Sequence, residues 1–299
     1  MTNRTTLAEL IERPVNPGQH LINGAWVDSV NGSTVEVISP IDGQVLTHIA
    51  TGSEKDVDLA VAAARSAYES GVWSKMAPAR RKDVLTQLAD LIEFHKEELA
   101  VLGVRDNGTE FKMALKAEPG SAAGSFRYYG EAIDKVYGQI APTAEENIGL
   151  ISREPVGVVG AIVPWNFPLM IAAWKIAPAL AAGNSVLLKP AQSASLSLLQ
   201  LARLAMEAGI PKGVLNVVTG SGSVVGEALG LHQDVDVLAF TGSGAVGRRL
   251  LNYAAQSNLK RVHLELGGKS PNIVFSDTPD IDAAAATAIN GIFRSSGQV

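Results

Sequence analysis

The sequence predicts an α/β fold built on a parallel sheet, and three observations point to it. From residue 156 onward, short apolar runs alternate with helical stretches, the pattern of βαβ units. Those runs carry almost no polar alternation, as expected of strands covered on both faces. Finally, Thr241-Gly242-Ser243-Gly244-Ala245-Val246-Gly247 follows the apolar run ending at Phe240 and opens a helix to about Gln256. Gly242, Gly244 and Gly247 thus form G-x-G-x-x-G in the strand-to-helix context that a pyrophosphate site needs.

Taken in order, residues 1–50 are turn-rich. Asn23-Gly24, Asn31-Gly32 and Asp42-Gly43 separate short β-like runs such as 34–38. Ser53-Glu54-Lys55-Asp56 supplies a capping-box start to an Ala-rich helix. A second helix is expected over about 79–105, with Val84, Leu85, Leu88, Leu91, Ile92 and Leu99 on one face and Asn107-Gly108 as its stop. A third covers about 111–134, with Pro119-Gly120 as a candidate break. Residues 137–153 read as an excursion from the main body. Beyond them, strands are expected at 156–163, 185–188, 214–218, 235–240 and 262–266. Helices fall at 170–182, closed by Gly183-Asn184, and at 195–208, 223–229 and 244–256.

A length of 299 residues suggests two domains at roughly 150 residues each. With 46% hydrophobic and 18% charged residues the chain can bury a sizeable core, which excludes the disordered class. The net charge is −5, and the densest basic run, Arg80-Arg81-Lys82, opens a helix and reads as a solvated face. Nothing tracks a phosphate backbone, so nucleic acid is not an expected partner. The longest apolar candidate, 170–182, is interrupted by Lys175 and Pro178 and falls short of the ~18 residues of a membrane span. Met1-Thr2-Asn3-Arg4-Thr5 lacks the charged-then-apolar order of a signal peptide, so a soluble cytoplasmic protein is expected. There is no cysteine in the 299 residues, so neither a disulfide nor a Cys-ligated metal is expected, and no metal site is assigned.

Three segments carry candidate chemistry. Val262, Leu264 and Leu266 alternate with His263 and Glu265, a strand that delivers Glu265 to its carboxyl edge just before Gly267-Gly268. Ligands of open α/β sheets sit beyond such edges. Glu265 lies 18 residues past Gly247, where the dinucleotide fingerprint places a ribose-binding acid; an ordinary strand-end carboxylate is the alternative. In Val163-Pro164-Trp165-Asn166-Phe167-Pro168, two prolines stiffen a turn that can aim the Asn166 amide as an oxyanion donor. The same amide could instead satisfy turn backbone. In Leu188-Lys189-Pro190-Ala191-Gln192, Lys189 stands at a strand end, suited to a ribose or phosphate or else simply solvated.

Together, Pro164-Trp165-Asn166-Phe167-Pro168, Lys189-Pro190, Phe240-Thr241-Gly242-Ser243 and Glu265-Leu266-Gly267-Gly268-Lys269 resemble the NAD(P)-dependent aldehyde dehydrogenase superfamily in order and approximate spacing. The resemblance covers nearly the whole chain, from the Asn23-Gly24 hairpin onward. Arg127-Tyr128-Tyr129 and Ala132-Ile133-Asp134-Lys135-Val136-Tyr137-Gly138 look most like bacterial members acting on γ-glutamyl-γ-aminobutyraldehyde and related aminoaldehydes. The fold it implies is a Rossmann-like parallel-sheet cofactor domain (1–136 and 154–265), an oligomerisation hairpin (137–153) and the start of a second α/β catalytic domain (266–299). It also implies a homodimer or homotetramer.

The resemblance implies roles as well. Asn166 and the nucleophile's own N–H would hold the oxyanion. Glu265 would activate water for deacylation, replacing the ribose reading, and Lys175 would support the site electrostatically. Lys189 would bind the adenosine ribose, while Gly222, Gly226, Gly242 and Ser243 surround adenine and pyrophosphate, with Trp165 nearby. Further cofactor contacts fall at Val163, Pro164, Thr241, Val246, Leu266 and Gly267. Gln192 stands where the family commonly has a Glu on the ribose 2′-hydroxyl; its neutral amide removes repulsion against a 2′-phosphate, so NAD or NADP is expected. Phe167, Met170 and Trp174 would line the aldehyde tunnel, with Glu118 either near its mouth or on a helix surface.

The family's nucleophile is a Cys directly after Gly-Gln-x, and the chain stops at Gly297-Gln298-Val299. A truncated member is therefore expected. The complete protein would oxidise an aldehyde to the acid through a thiohemiacetal and a thioester, and this piece alone would not. Two other readings stay open. One is a naturally short, non-catalytic dinucleotide-binding or interaction protein. The other is an acyl-phosphate reductase, against which Asn166 and Glu265 argue.

Overall fold

The computed structural model describes residues 6–298; residues 1–5, read above for a signal peptide, and the terminal Val299 lie outside the described residues. Helix α1 (Leu7–Glu12) opens on a capping box between Thr6 and Glu9. Strands β1 (His20–Ile22) and β2 (Ala25–Val27) form an antiparallel hairpin across Asn23 and Gly24, whose φ values of 52° and 74° give the mirror-image turn that matches strand twist. Strands β3 (Thr34–Ile38) and β4 (Val45–Ala50) make a separate two-stranded sheet. Helix α2 (Glu54–Ser70) starts at the expected Ser53/Asp56 capping box and stops at Gly71 in the left-handed region.

The expected helix over 79–105 is two helices. α3 (Pro78–Phe94) and α4 (Lys96–Asn107) meet at His95, whose φ, ψ of −96° and 16° leave the helical basin. Backbone bonds continue from His95 N to Leu91 O and from Leu99 N to His95 O, so the apolar stripe runs through and hides the break. The His95 ring also sits 2.9 Å from the Glu98 carboxylate and closes the first turn of α4. Conversely, Pro119-Gly120 breaks nothing, because α5 (Phe111–Ala132) continues through it. Ala114, Ala122 and Phe126 are buried on both sides of Pro119, so packing outweighs the lost backbone bond. Arg81 also departs from the solvated-face reading: it is half-buried and donates to the Met76 carbonyl.

Residues 137–153 form a hairpin of β5 (Gln139–Ala141) and β6 (Gly149–Ile151). The βαβ region follows as β7 (Val158–Ile162), α6 (Pro168–Ala181), β8 (Ser185–Lys189), α7 (Leu196–Glu207), β9 (Leu215–Val217), α8 (Glu227–Leu231), β10 (Val237–Gly242), α9 (Gly244–Gln256) and β11 (Arg261–Leu266). The helix expected at 223–229 opens as a π-helical turn, Gly222–Gly226, before α8. The final helix, α10 (Ile281–Phe293), buries none of its residues.

The main sheet has strand order β11-β10-β7-β8-β9-β1-β2, with β11, β10, β7, β8 and β9 mutually parallel. Every residue of β7, β8 and β9 is buried, which is why their sequences show no alternation. The chain proceeds from β7 to β8 and β9, then crosses back to lay β10 on the other side of β7. The order therefore reverses between β7 and β10, the kind of switch point where open α/β sheets take ligands.

Candidate active and cofactor site

Register brings the predicted residues to one edge. Ile162 pairs with Lys189, Phe240 with Ile162, Thr241 with Glu265 and Gly242 with Leu266, so the carboxyl ends of four parallel strands lie side by side. Beyond them opens a cavity of about 490 Å³, within the usual range for small-molecule sites. Val163, Pro164 and Trp165 line it from the end of β7; Lys189 and Gln192 do so from β8 and the turn after it. Gly222 and Gly226 come from the π-helical turn, and Thr241, Gly242, Ser243 and Val246 from the β10–α9 junction. Leu266 and Gly267 do not line it: Leu266 packs its side chain under α9 instead, against Gly247.

The glycines there have distinct physical uses. A Cβ at Gly222 or Gly226 would meet no protein atom within 4 Å, so their backbone stands open to a ligand in the cavity. A Cβ at Gly247 would lie 2.8 Å from Leu266 Cδ2, so this glycine lets α9 sit close on β11. Ser243 caps α9 by accepting from Val246 N at 3.3 Å, which leaves other first-turn N–H groups without intrahelical partners.

Lys189 is not a solvated edge residue. It is only 4% exposed, and its Nζ donates to the Pro190 carbonyl at 2.8 Å. Burial pushes its ammonium down to about 8. Lys175 on α6 is half-buried; burial lowers its ammonium as well, and the negative charge of Glu265 opposes that shift. Glu265 itself is exposed on the edge strand β11.

Asn166 Nδ2 donates to the Gln298 carbonyl at 3.2 Å. Asn107, read from sequence only as a helix stop, holds this turn in place. Its Nδ2 donates to the Trp165 and Asn166 carbonyls at 3.3 and 3.4 Å, its Oδ1 accepts from Thr109 N, and its own carbonyl accepts from Gln298 Nε2. An Asn at a helix C-terminus signals a stop, and nothing local to the sequence shows a turn 58 residues away.

A second cavity, about 500 Å³, is lined by Met113, Lys116, Ala117, Phe167, Met170 and residues 290, 291 and 294. Phe167 and Met170, expected on an aldehyde tunnel, line this cavity. Trp174 does not: it is exposed and its Nε1 donates to Ser121 Oγ at 3.3 Å. Glu118 lines neither cavity and is not on the surface. It is 5% exposed and accepts from Met170 N at 2.8 Å, and burial raises its carboxyl to about 7.

The sequence model of the aldehyde dehydrogenase family matches residues 26–299. The chain belongs to that family. It is 52% identical over 278 residues to the NADP/NAD-dependent aldehyde dehydrogenase PuuC of Escherichia coli (strain K12), covering 93% of this chain and 56% of that protein. Among solved aldehyde dehydrogenases, γ-glutamyl-γ-aminobutyraldehyde dehydrogenase from Burkholderia cenocepacia superposes with TM-score 0.94 at 50% identity, over 99% of this chain and 60% of that one. An indole-3-acetaldehyde dehydrogenase in complex with NAD+ superposes with TM-score 0.95 at 47% identity, with the same coverage. The chain thus spans little more than half the length of the relatives it matches. No helix among the described residues is long and apolar enough to cross a membrane.

Proposed function

We propose that this chain is the cofactor-binding part of an NAD(P)-dependent aldehyde dehydrogenase, with residues 1–136 and 154–265 as the cofactor domain and 266–299 as the start of the catalytic domain. The observation that carries the reading is convergence. Four segments far apart in sequence meet at one cavity on the switch point of the sheet, presenting open glycine backbone, a buried lysine and no carboxylate. That set fits a dinucleotide. Lys189 and Gln192 would hold the adenosine ribose, and Gly222, Gly226, Thr241, Gly242, Ser243 and Val246 the adenine and pyrophosphate. When bound, the nicotinamide supplies a hydride acceptor.

The protein's own groups do the rest. Asn166, fixed by Asn107, donates to the oxyanion that forms when a thiolate adds to the aldehyde carbonyl. Glu265 takes a proton from the water that releases the acid, and Lys175 supports the site electrostatically. The reaction needs a thiolate and these 299 residues hold no cysteine, so the oxidation is proposed for a polypeptide that also carries one. The substrate is an aldehyde of the aminoaldehyde class, as the names of the relatives suggest. Lys116 and Arg294 at the second cavity favour substrates whose nitrogen is acylated over those with a free ammonium. Exposed Ile140, Ile148 and Leu150 on the β5–β6 hairpin support a homodimer or homotetramer. The test is aldehyde-dependent reduction of NAD+ or NADP+ by the complete polypeptide. A panel of aldehydes that yields no reduced dinucleotide would sink the reading.

A further inference from the structure

The cofactor cavity contains one cation that the chemistry above does not use. Val246, Arg249, Leu250 and Tyr253 line it at positions i, i+3, i+4 and i+7 of α9, one continuous stripe of that helix. Leu250 is buried, and Val246 and Tyr253 are half-buried, which leaves Arg249 exposed at the rim. Among the described residues the Arg249 guanidinium has no hydrogen-bond or ion-pair partner. The acid Glu227 lies outside the cavity lining, and its carboxylate already accepts from the Tyr253 hydroxyl at 2.9 Å. With Gln192 neutral and no Asp or Glu lining the cavity, its fixed charges are Lys189 and Arg249.

With the pyrophosphate at the open N–H groups of the first turn of α9 and the ribose at Lys189, the cavity's two cations are one more than NAD engages. They suit a ligand with an additional phosphate, and a guanidinium fork binds a phosphate through two parallel hydrogen bonds. We propose that Arg249 recognises the 2′-phosphate of NADP and that this chain selects for the phosphorylated dinucleotide through it. The inference rests on the dinucleotide reading above and deepens it: Gln192 removes a repulsion, whereas Arg249 supplies the attraction.

The experiment is calorimetric titration of the 299-residue chain with NADP+ and, separately, with NAD+, in wild type and in Arg249→Ala, Arg249→Lys and Arg248→Ala. Circular dichroism checks the fold of each variant. Arg248 neighbours Arg249 but does not line the cavity, so its removal subtracts the same charge without the same contact. Arg249→Ala is expected to weaken NADP+ on the order of tenfold while NAD+ stays within about twofold. Arg249→Lys should restore part of the loss, and Arg248→Ala should change neither ligand. Equal weakening of NADP+ by Arg248→Ala and Arg249→Ala, equal weakening of NAD+ and NADP+ by Arg249→Ala (a pyrophosphate contact), or no change on Arg249→Ala, overturns the assignment. Wild-type binding of NAD+ without NADP+ overturns it alone and leaves the dinucleotide reading standing. Binding of neither takes down both.

Discussion

At the scale of single residues, burial sets the ionisation of Lys189, Glu118 and Asp106. Lys189 has its ammonium lowered to about 8 by burial, so cofactor affinity should weaken as pH rises through about 8. Lys189→Met should bind the dinucleotide more weakly and lose that pH dependence, read by titration at a series of pH values. Glu118 and Asp106 shift the other way: burial raises their carboxyls to about 7 and about 8, from 4.5 and 3.8. The native state then holds more protons than the unfolded chain between those values, so stability is greatest below the lower pair and falls as pH rises through the upper pair. Glu118→Gln keeps an acceptor for Met170 N and removes the charge. Its melting temperature should therefore fall less between about pH 5 and about pH 8 than that of wild type, and an unchanged slope would contradict the argument. Glu265 is the opposite case, exposed and on an edge strand. In the complete polypeptide, Glu265→Gln should cut steady-state turnover on the order of a hundredfold with cofactor affinity intact. A large loss of NAD affinity instead would return Glu265 to the ribose.

Elements set where those residues stand. Gly247 lets α9 lie on β11, and the Thr241–Glu265 register fixes where that strand delivers its carboxylate. Gly247→Ala would press a Cβ against the exposed Leu266 side chain, which can turn aside, while removing a glycine from a helix interior, so a net stability change within about 1 kcal/mol is expected in denaturant unfolding. The strands of the βαβ region were legible in the sequence because full burial makes them short continuous apolar runs between glycine turns. The break at His95 was not, since the apolar stripe of α3 carries on into α4 without a stop signal. Pro119 misled for the converse reason: local chemistry marks a break, and tertiary packing overrides it. Likewise Asn107 and Glu118 act across the fold, through contacts that no local pattern of residues displays.

For the molecule as a whole, the cofactor cavity lies beside a well-buried sheet, while residues 267–298 are almost entirely exposed. Ile273, Phe275, Ile289 and Phe293 are 65%, 72%, 56% and 67% exposed, large apolar side chains left facing water. The 299-residue chain should therefore self-associate in light scattering, whereas residues 1–266 alone should do so less; equal behaviour would show that this surface is not responsible. The order of the motifs was legible, and so was their arrival at strand ends. That they share one cavity depends on the crossover from β9 to β10, a property of topology rather than of any segment. Amide hydrogen exchange of the chain with and without NAD+ tests that convergence most directly. Protection is expected in residues 163–165, 189–192, 220–226 and 241–250 together and little elsewhere; protection of none of them, or of a different face of the sheet, would contradict the assignment of the cavity.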